Sequence, residues 1–133
     1  MQLFAQGTLN ISPGTTLKPT GGVYIVFNDV NLVNNGTLQQ TAGGGSVKFT
    51  GATDVALSGT GTTSIDSLEL AQSGATLNLQ SNLNIASKVN YNGSLFNLGN
   101  SIVDLGSNGI FKNESETSRA YTNGTGYAQS TQF

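Results

Sequence analysis

The apolar residues of this chain recur with a spacing near twenty, and that long period limits the fold more than any motif in it. Leu17, Leu38, Leu57, Leu77 and Leu98 follow one another at steps of 21, 19, 20 and 21. A second series runs Ile11, Leu32, Phe49, Leu70, Tyr91 and Ile110, with steps of 21, 17, 21, 21 and 19. A third runs Val26, Val47, Leu68, Ile85 and Leu105, with steps of 21, 21, 17 and 20. Three interleaved columns describe a chain that returns to the same place every turn. The connections of a β-sandwich vary in length, so a sandwich is not expected to give three such columns at once. The spacing therefore predicts an all-β parallel β-solenoid of about six coils, each of roughly 20 residues and three short strands. A right-handed course is the default for parallel crossovers. At a strand spacing of ~4.8 Å, six coils make a rod about 30 Å long.

A shorter period of two supplies the strands. "VYIVF" places Val23, Ile25 and Phe27 on one side, and "TLNLQSNLNI" does the same with Leu77, Leu79, Leu83 and Ile85. "SVKF", "DVAL", "SLEL" and "KVNY" repeat the pattern in brief, separated by Gly, Asn and Ser. No segment sustains a helical period. Asn35-Gly36 is the strongest short-range hairpin signal, but a hairpin would pair Leu32 with Leu38, and each has its own partners one coil away. Asn34-Asn35-Gly36 is better read as a corner between two strands of one coil, and Gly43-Gly44-Gly45 as the next corner. The apolar residues of one coil cannot offset the entropy of ordering it, so the coils must stack.

Residues 1–112 read as solenoid coils. Residues 113–133, "NESETSRAYTNGTGYAQSTQF", carry few aliphatic side chains and read as a polar C-terminal segment: a cap, a linker or an inter-subunit strand. No amphipathic helix is available to cover either end. An uncovered end is a row of unpaired backbone groups that invites another chain.

Composition narrows the chemistry. There is no Cys, so neither a disulfide framework nor a thiolate metal site can form, and there is no His or Trp. Charged residues make up 9% of the chain, against a typical ~25%. The net charge of −2 and five scattered basic residues give no footprint for nucleic acid. No apolar run approaches the ~18 residues of a membrane span. Asn, Gly, Ser and Thr supply about half of the chain, a balance common in extracellular β-proteins. "MQLFAQG" resembles the end of a secretory leader, with Ala5 before the cleavage point, but the charged and apolar regions that should precede it are missing, and an ordinary first strand is the preferred reading.

The acids are Asp29, Asp54, Asp66, Glu69, Asp104, Glu114 and Glu116. In the predicted register Glu69 stacks over Lys48, giving an exposed inter-coil ion pair on a column Asn31, Lys48, Glu69, Asn90. Asp104 falls over Asn84. These read as solvated outer-face residues, and no catalytic pair, cofactor site or metal site is expected. Glu114 and Glu116 share a strand face and read as a solvated tail. Calcium-binding nonapeptides, a phosphate loop and the Thr-x-Thr arrays of ice-binding solenoids are all lacking; Thr60-Gly61-Thr62 stands alone. Sequons at Asn10, Asn35, Asn92, Asn113 and Asn123 are better read as coil corners, where neighbouring Asn amides can stack. Tyr24, Tyr121 and Tyr127 are candidate contact aromatics, with Tyr91 in the core.

The stretches "NNGT", "GGGSVKFTG", "SLELAQSGATLNLQSNLNI", "NLGNSIVDLGSNG" and "NESETSRAYTNGTGY" together resemble the β-helical, adhesin-like surface proteins secreted by Bacteroidetes, from about Thr8 to Tyr127. The resemblance implies export, often by the type IX route, and a place in adhesion or the cell-surface layer. Many such proteins end in a sorting domain, which is not evident here; that reads as either a fragment or a small relative with another rule of assembly. It also implies O-glycosylation of Asp-Ser/Thr-apolar triplets, which Asp66-Ser67-Leu68 matches, with Ser67 facing outward. The expected function is a non-catalytic structural module of a secreted or cell-surface protein, building a fibre, adhesin or matrix element. Its ends would pair with copies of itself or with flanking solenoid domains, and its faces would meet surface glycans. The competing expectation is a carbohydrate-binding or polysaccharide-cleaving β-helix.

Overall fold

The computed structural model describes residues 6–131, so the Met1–Ala5 stretch read above as leader or strand lies outside the described residues. The chain forms a parallel β-solenoid of about six turns, with no helix among the described residues. The first coil holds β1 (Gly7–Ile11), β2 (Thr16–Leu17) and β3 (Val23–Asn28), and the second β4 (Val30–Asn34), β5 (Thr37–Gln39) and β6 (Gly45–Gly51). In the third, β7 (Val55–Ser58) is followed by β8 (Thr62–Gln72), and in the fourth, β9 (Thr76–Leu79) by β10 (Leu83–Tyr91). The fifth has β11 (Leu95–Asn97), β12 (Ile102–Asp104) and β13 (Ile110–Lys112), and the sixth β14 (Ala120–Tyr121) and β15 (Tyr127–Gln129).

Every paired strand lies parallel to its equivalent in the next coil, which gives three faces. The first runs β1-β4-β7-β9-β11-β14, and the second β2-β5-β8-β10-β12-β15. The third runs β3-β6-β8-β10-β13, because β8 and β10 turn a corner and serve two faces each. The chain from Asn113 onward continues the stack. Ala120 pairs with Phe96 and Ala128 with Val103, so both alanines fall on core columns.

The core is a set of ladders. On the third face Phe27, Phe49, Leu70 and Tyr91 stack in register, and beside them run Ile25, Val47, Leu68, Val89 and Phe111. The rings of Phe27 and Phe49 stack at 5.1 Å, and Tyr91 meets Phe111 edge-on at 5.9 Å. Here the predicted columns hold from Val47 to Leu68 and from Phe49 to Tyr91. On the second face the predicted step from Leu17 to Leu38 holds as well, while several other steps slip. Leu38 pairs with Thr63 rather than Leu57, Leu57 with Leu79 rather than Leu77, and Leu68 with Val89 rather than Ile85. Val26 faces outward, 56% exposed, and Ile25 takes its place beside Val47. The cause is corner length: the step is 19 residues from Leu77 to Phe96 but 25 from Leu32 to Leu57. A turn averages roughly 22 residues, slightly more than expected.

The Asn-Gly hairpin does not form. Leu32 pairs with Leu9 and Leu57, while Leu38 pairs with Leu17 and Thr63. Asn34 is the buried hinge of that corner. Its Nδ2 donates to the Thr62 carbonyl at 2.8 Å and to Thr63 Oγ1 at 2.9 Å, while its Oδ1 accepts the Gly36 N–H at 3.0 Å. At the following corner the coils approach too closely for any side chain at Gly45. Its φ is 112°, and an added Cβ would lie 2.0 Å from the Val23 carbonyl oxygen. Gly43 has φ 76° with open space around it.

Gly45→Ala is therefore expected to lower unfolding free energy by more than ~3 kcal/mol, and Gly43→Ala by only ~1 kcal/mol, as read by urea denaturation. Gln40 offers the opposite case. It is 5% exposed, and neither amide atom has a hydrogen-bond partner among the described residues. Gln40→Met, which removes that unmet amide at similar volume, should raise stability by about 1 kcal/mol in the same assay.

Candidate functional site: the coil ends and the outer polar ladders

Many polar groups outside the core share the task of the core itself, the joining of one coil to the next. Asp29 sits at a corner with φ 54°, a conformation that Asp adopts more readily than most residues. Its Oδ1 accepts the Thr53 hydroxyl at 2.7 Å and the N–H groups of Ala52 and Thr53, each at 2.9 Å. These bonds, the Thr53 hydroxyl first, hold the carboxyl below the usual carboxylate range. Uncharged residues build the same staple. Asn35 Oδ1 accepts the N–H and hydroxyl of Thr60, and Asn100 Oδ1 those of Thr125.

The second face carries an outer ladder of Gln39, Ser64, Asn84, Asp104 and Gln129. Asn84 donates to Ser64 Oγ at 3.2 Å, and Gln129 donates to Asp104 at 3.0 Å. The Gly106 N–H, and after it Gln129, hold the Asp104 carboxyl below the usual range. The predicted stacking of Asp104 on Asn84 is present. On the third face Lys48, Glu69 and Asn90 stack as expected, and Lys48 Nζ lies 3.9 Å from Glu69 Oε2. Val26, not Asn31, precedes Lys48 on that column; Asn31 belongs to the first face.

Asp66 and Ser67 differ from their sequence reading. Ser67 was expected outward and is 4% exposed, held between Ser46 and Lys88 of the adjacent coils just past the bend in β8. Asp66 is also buried. It accepts the Ser87 hydroxyl at 2.5 Å and, more weakly, the Gly45 N–H at 3.4 Å, so it is an interior corner group rather than a solvated one. Asp54 accepts the Thr76 N–H at 2.7 Å. Glu114 approaches the Ala120 N–H at 3.5 Å, and Glu116 is exposed. Among the described residues no three His, Cys, Asp or Glu side chains are placed to hold a metal ion. Tyr91 is core; burial, and then the nearby Glu114 charge, push its hydroxyl pKa up. Tyr24, Tyr121 and Tyr127 are exposed. Of the five sequons, Asn35, Asn92, Asn113 and Asn123 lie outside strands, whereas Asn10 lies within β1.

Among the described residues, the two ends of the stack differ from the faces in having strands paired on one side only. Among the described residues, β1, β2 and β3 pair only with the second coil, and β13, β14 and β15 only toward the interior. Leu17 and Leu9 belong to inward columns yet are 37% and 38% exposed, while Leu38 and Leu32, stacked against them, are 1% and 0% exposed. At the far end Phe111, Ala120 and Ala128 are only partly covered. Sequence reasoning did not anticipate the Asx–Thr staples, whose only trace is an Asn or Asp placed 24 or 25 residues before a Thr.

No family model, curated protein or solved structure matches the chain. What can be stated of its class is the fold, a parallel β-solenoid.

Two outcomes follow from the outer groups. Asp29 has a folded-state pKa below its unfolded value, so the stability it supplies is complete above the unfolded value and is lost as pH falls below about 4. Asp29→Asn, which keeps the Oδ1 acceptor, should flatten the acid limb of a melting temperature–pH profile and leave the neutral value nearly unchanged. A double-mutant cycle on Lys48 and Glu69 should return a coupling of ~1 kcal/mol or less that shrinks with added salt.

Proposed function

We infer that this protein is a non-catalytic stacking module of an exported cell-surface or extracellular assembly, extended by β-pairing of one coil end against the end of a second copy. The observation that carries the reading is the contrast within single core columns. Leu9 and Leu17 are inward residues of the first described coil that stay 38% and 37% exposed, while their neighbours one coil in are fully buried. Three strand edges at each end and a severed apolar core are what another solenoid end would cover. Because every inter-coil pairing is parallel, head-to-tail joining continues the ladder without a change of geometry, and such a contact repeats into an open filament.

The use of the acids supports a structural role over a catalytic one. Asp29, Asp54 and Asp104 each accept backbone N–H groups at corners, and Asp66 ties a buried corner. Each of four surface grooves holds at most one carboxylate, whereas glycoside cleavage ordinarily uses two. The uncharged polar composition and the repeat style similar to Bacteroidetes surface proteins support an extracellular, adhesin-like setting.

Sedimentation of the wild type and Leu17→Lys tests the reading. The wild type should grow with concentration, and the lysine at the open end should hold the protein monomeric at an unchanged melting temperature. A wild type that stays monomeric at every concentration would count against self-stacking and leave a flanking domain as the occupant of the ends.

A further inference from the structure

The first face carries a groove of about 490 Å³ that crosses from the second coil to the sixth, lined chiefly by amides, with Asp54 as its one carboxylate. Its hydrogen-bonding polarity is fixed by the backbone. The Ala56 N–H donates to Asn31 Oδ1 at 2.8 Å, and the Thr125 N–H to Asn100 Oδ1 at 3.0 Å. The Gly99 N–H donates to Asn97 Oδ1 at 3.0 Å, and Asn97 Nδ2 donates in turn to Asn78 Oδ1 at 3.1 Å. An amide whose oxygen is committed to a backbone donor presents its NH2 group. Among the described residues Asn31 and Asn100, and likewise Asn78, whose oxygen is held by the Asn97 amide, offer NH2 donors that make no hydrogen bond, and Asp54, whose Oδ1 accepts the Thr76 N–H, offers its second oxygen as an acceptor.

Donors of fixed direction beside a carboxylate acceptor suit neighbouring hydroxyls, each of which both accepts and donates. The rows repeat at the coil spacing of ~4.8 Å, comparable with the length of one sugar unit in an extended glycan. Among the described residues no cation lines the groove, and Asp54 disfavours an acidic ligand. We propose that this groove binds a neutral, extended polysaccharide along the solenoid axis, through the Asn31, Asn78 and Asn100 amides and the Asp54 carboxylate. Among the described residues no aromatic side chain lines it, so the contact is weak for a single copy. The site lies on a lateral face, and its existence does not depend on how the ends are used.

The test is side-chain amide NMR on the whole protein, titrated with cellohexaose, xylohexaose and hexagalacturonate. A neutral hexasaccharide should move the NH2 signals of Asn31, Asn78 and Asn100 and saturate near millimolar concentration. Asn78→Asp keeps the oxygen that accepts from Asn97 but loses the free donor. It should weaken binding about three- to tenfold at an unchanged melting temperature, while Asn90→Asp on the third face leaves binding as it was. Asn31→Asp and Asn100→Asp serve the same purpose should the first variant fold poorly. Absence of shifts with every sugar, tighter binding of hexagalacturonate, or full affinity in all three variants would overturn the assignment.

Discussion

The interaction on which everything else rests is the parallel hydrogen-bonded contact between one coil and the next. No coil contains a sheet of its own, because each strand finds its partners above and below and none within its own turn. The apolar side chains obey the same rule: Phe49 is covered by Phe27 and Leu70, residues of other coils. Even the corners follow it. Asn35 N–H reaches the Ile11 carbonyl and Asn92 N–H that of Leu70, at 2.8 and 2.7 Å. Ser94 and Ser118 each bridge backbone groups of the preceding coil with one hydroxyl. Stability is thus nearest-neighbour in kind, and an interior coil has two neighbours where an end coil has one.

That arithmetic links architecture to function. A closed fold hides its edges, whereas a solenoid keeps two sets of them unless something is placed there. The same geometry explains the chain's sparing use of charge. Asx oxygens serve as acceptors for the N–H groups of the next coil, a task that Asn performs as well as Asp, so an uncharged surface can be both soluble and well bonded. The four aspartates at positions 29, 54, 66 and 104 are drawn into the same corner bonding. Asp29 acts as Asn35 and Asn100 do, with a charge added.

The third face was the most legible part of the sequence, for a physical reason. From Ile25 through Val47, Leu68 and Val89 to Phe111 its steps are 22, 21, 21 and 22, so a fixed period tracks it correctly. The Lys48–Glu69 and Asn84–Asp104 stackings were recoverable because their own steps, 21 and 20 residues, fall close to the assumed period. The first and second faces follow corners of unequal length, and a column drawn at constant period slides from one face to the other, as it does between Leu38 and Leu57. The last coil escaped notice because its inward residues are Ala120 and Ala128, too small to stand out among polar neighbours. Ser67 and Asp66 were misjudged because alternation assigns an outward side chain to solvent and does not register that β8 bends there against coils on both sides. The groove amides were invisible, since their direction is set by backbone donors one coil away.

The stacking account is tested most directly by electron cryomicroscopy of concentrated protein. It predicts unbranched rods of variable length whose axial ladder runs at ~4.8 Å through every junction between copies, without a break in register. Discrete particles about 30 Å long at all concentrations, or pairs joined side by side with both ends open, would contradict it.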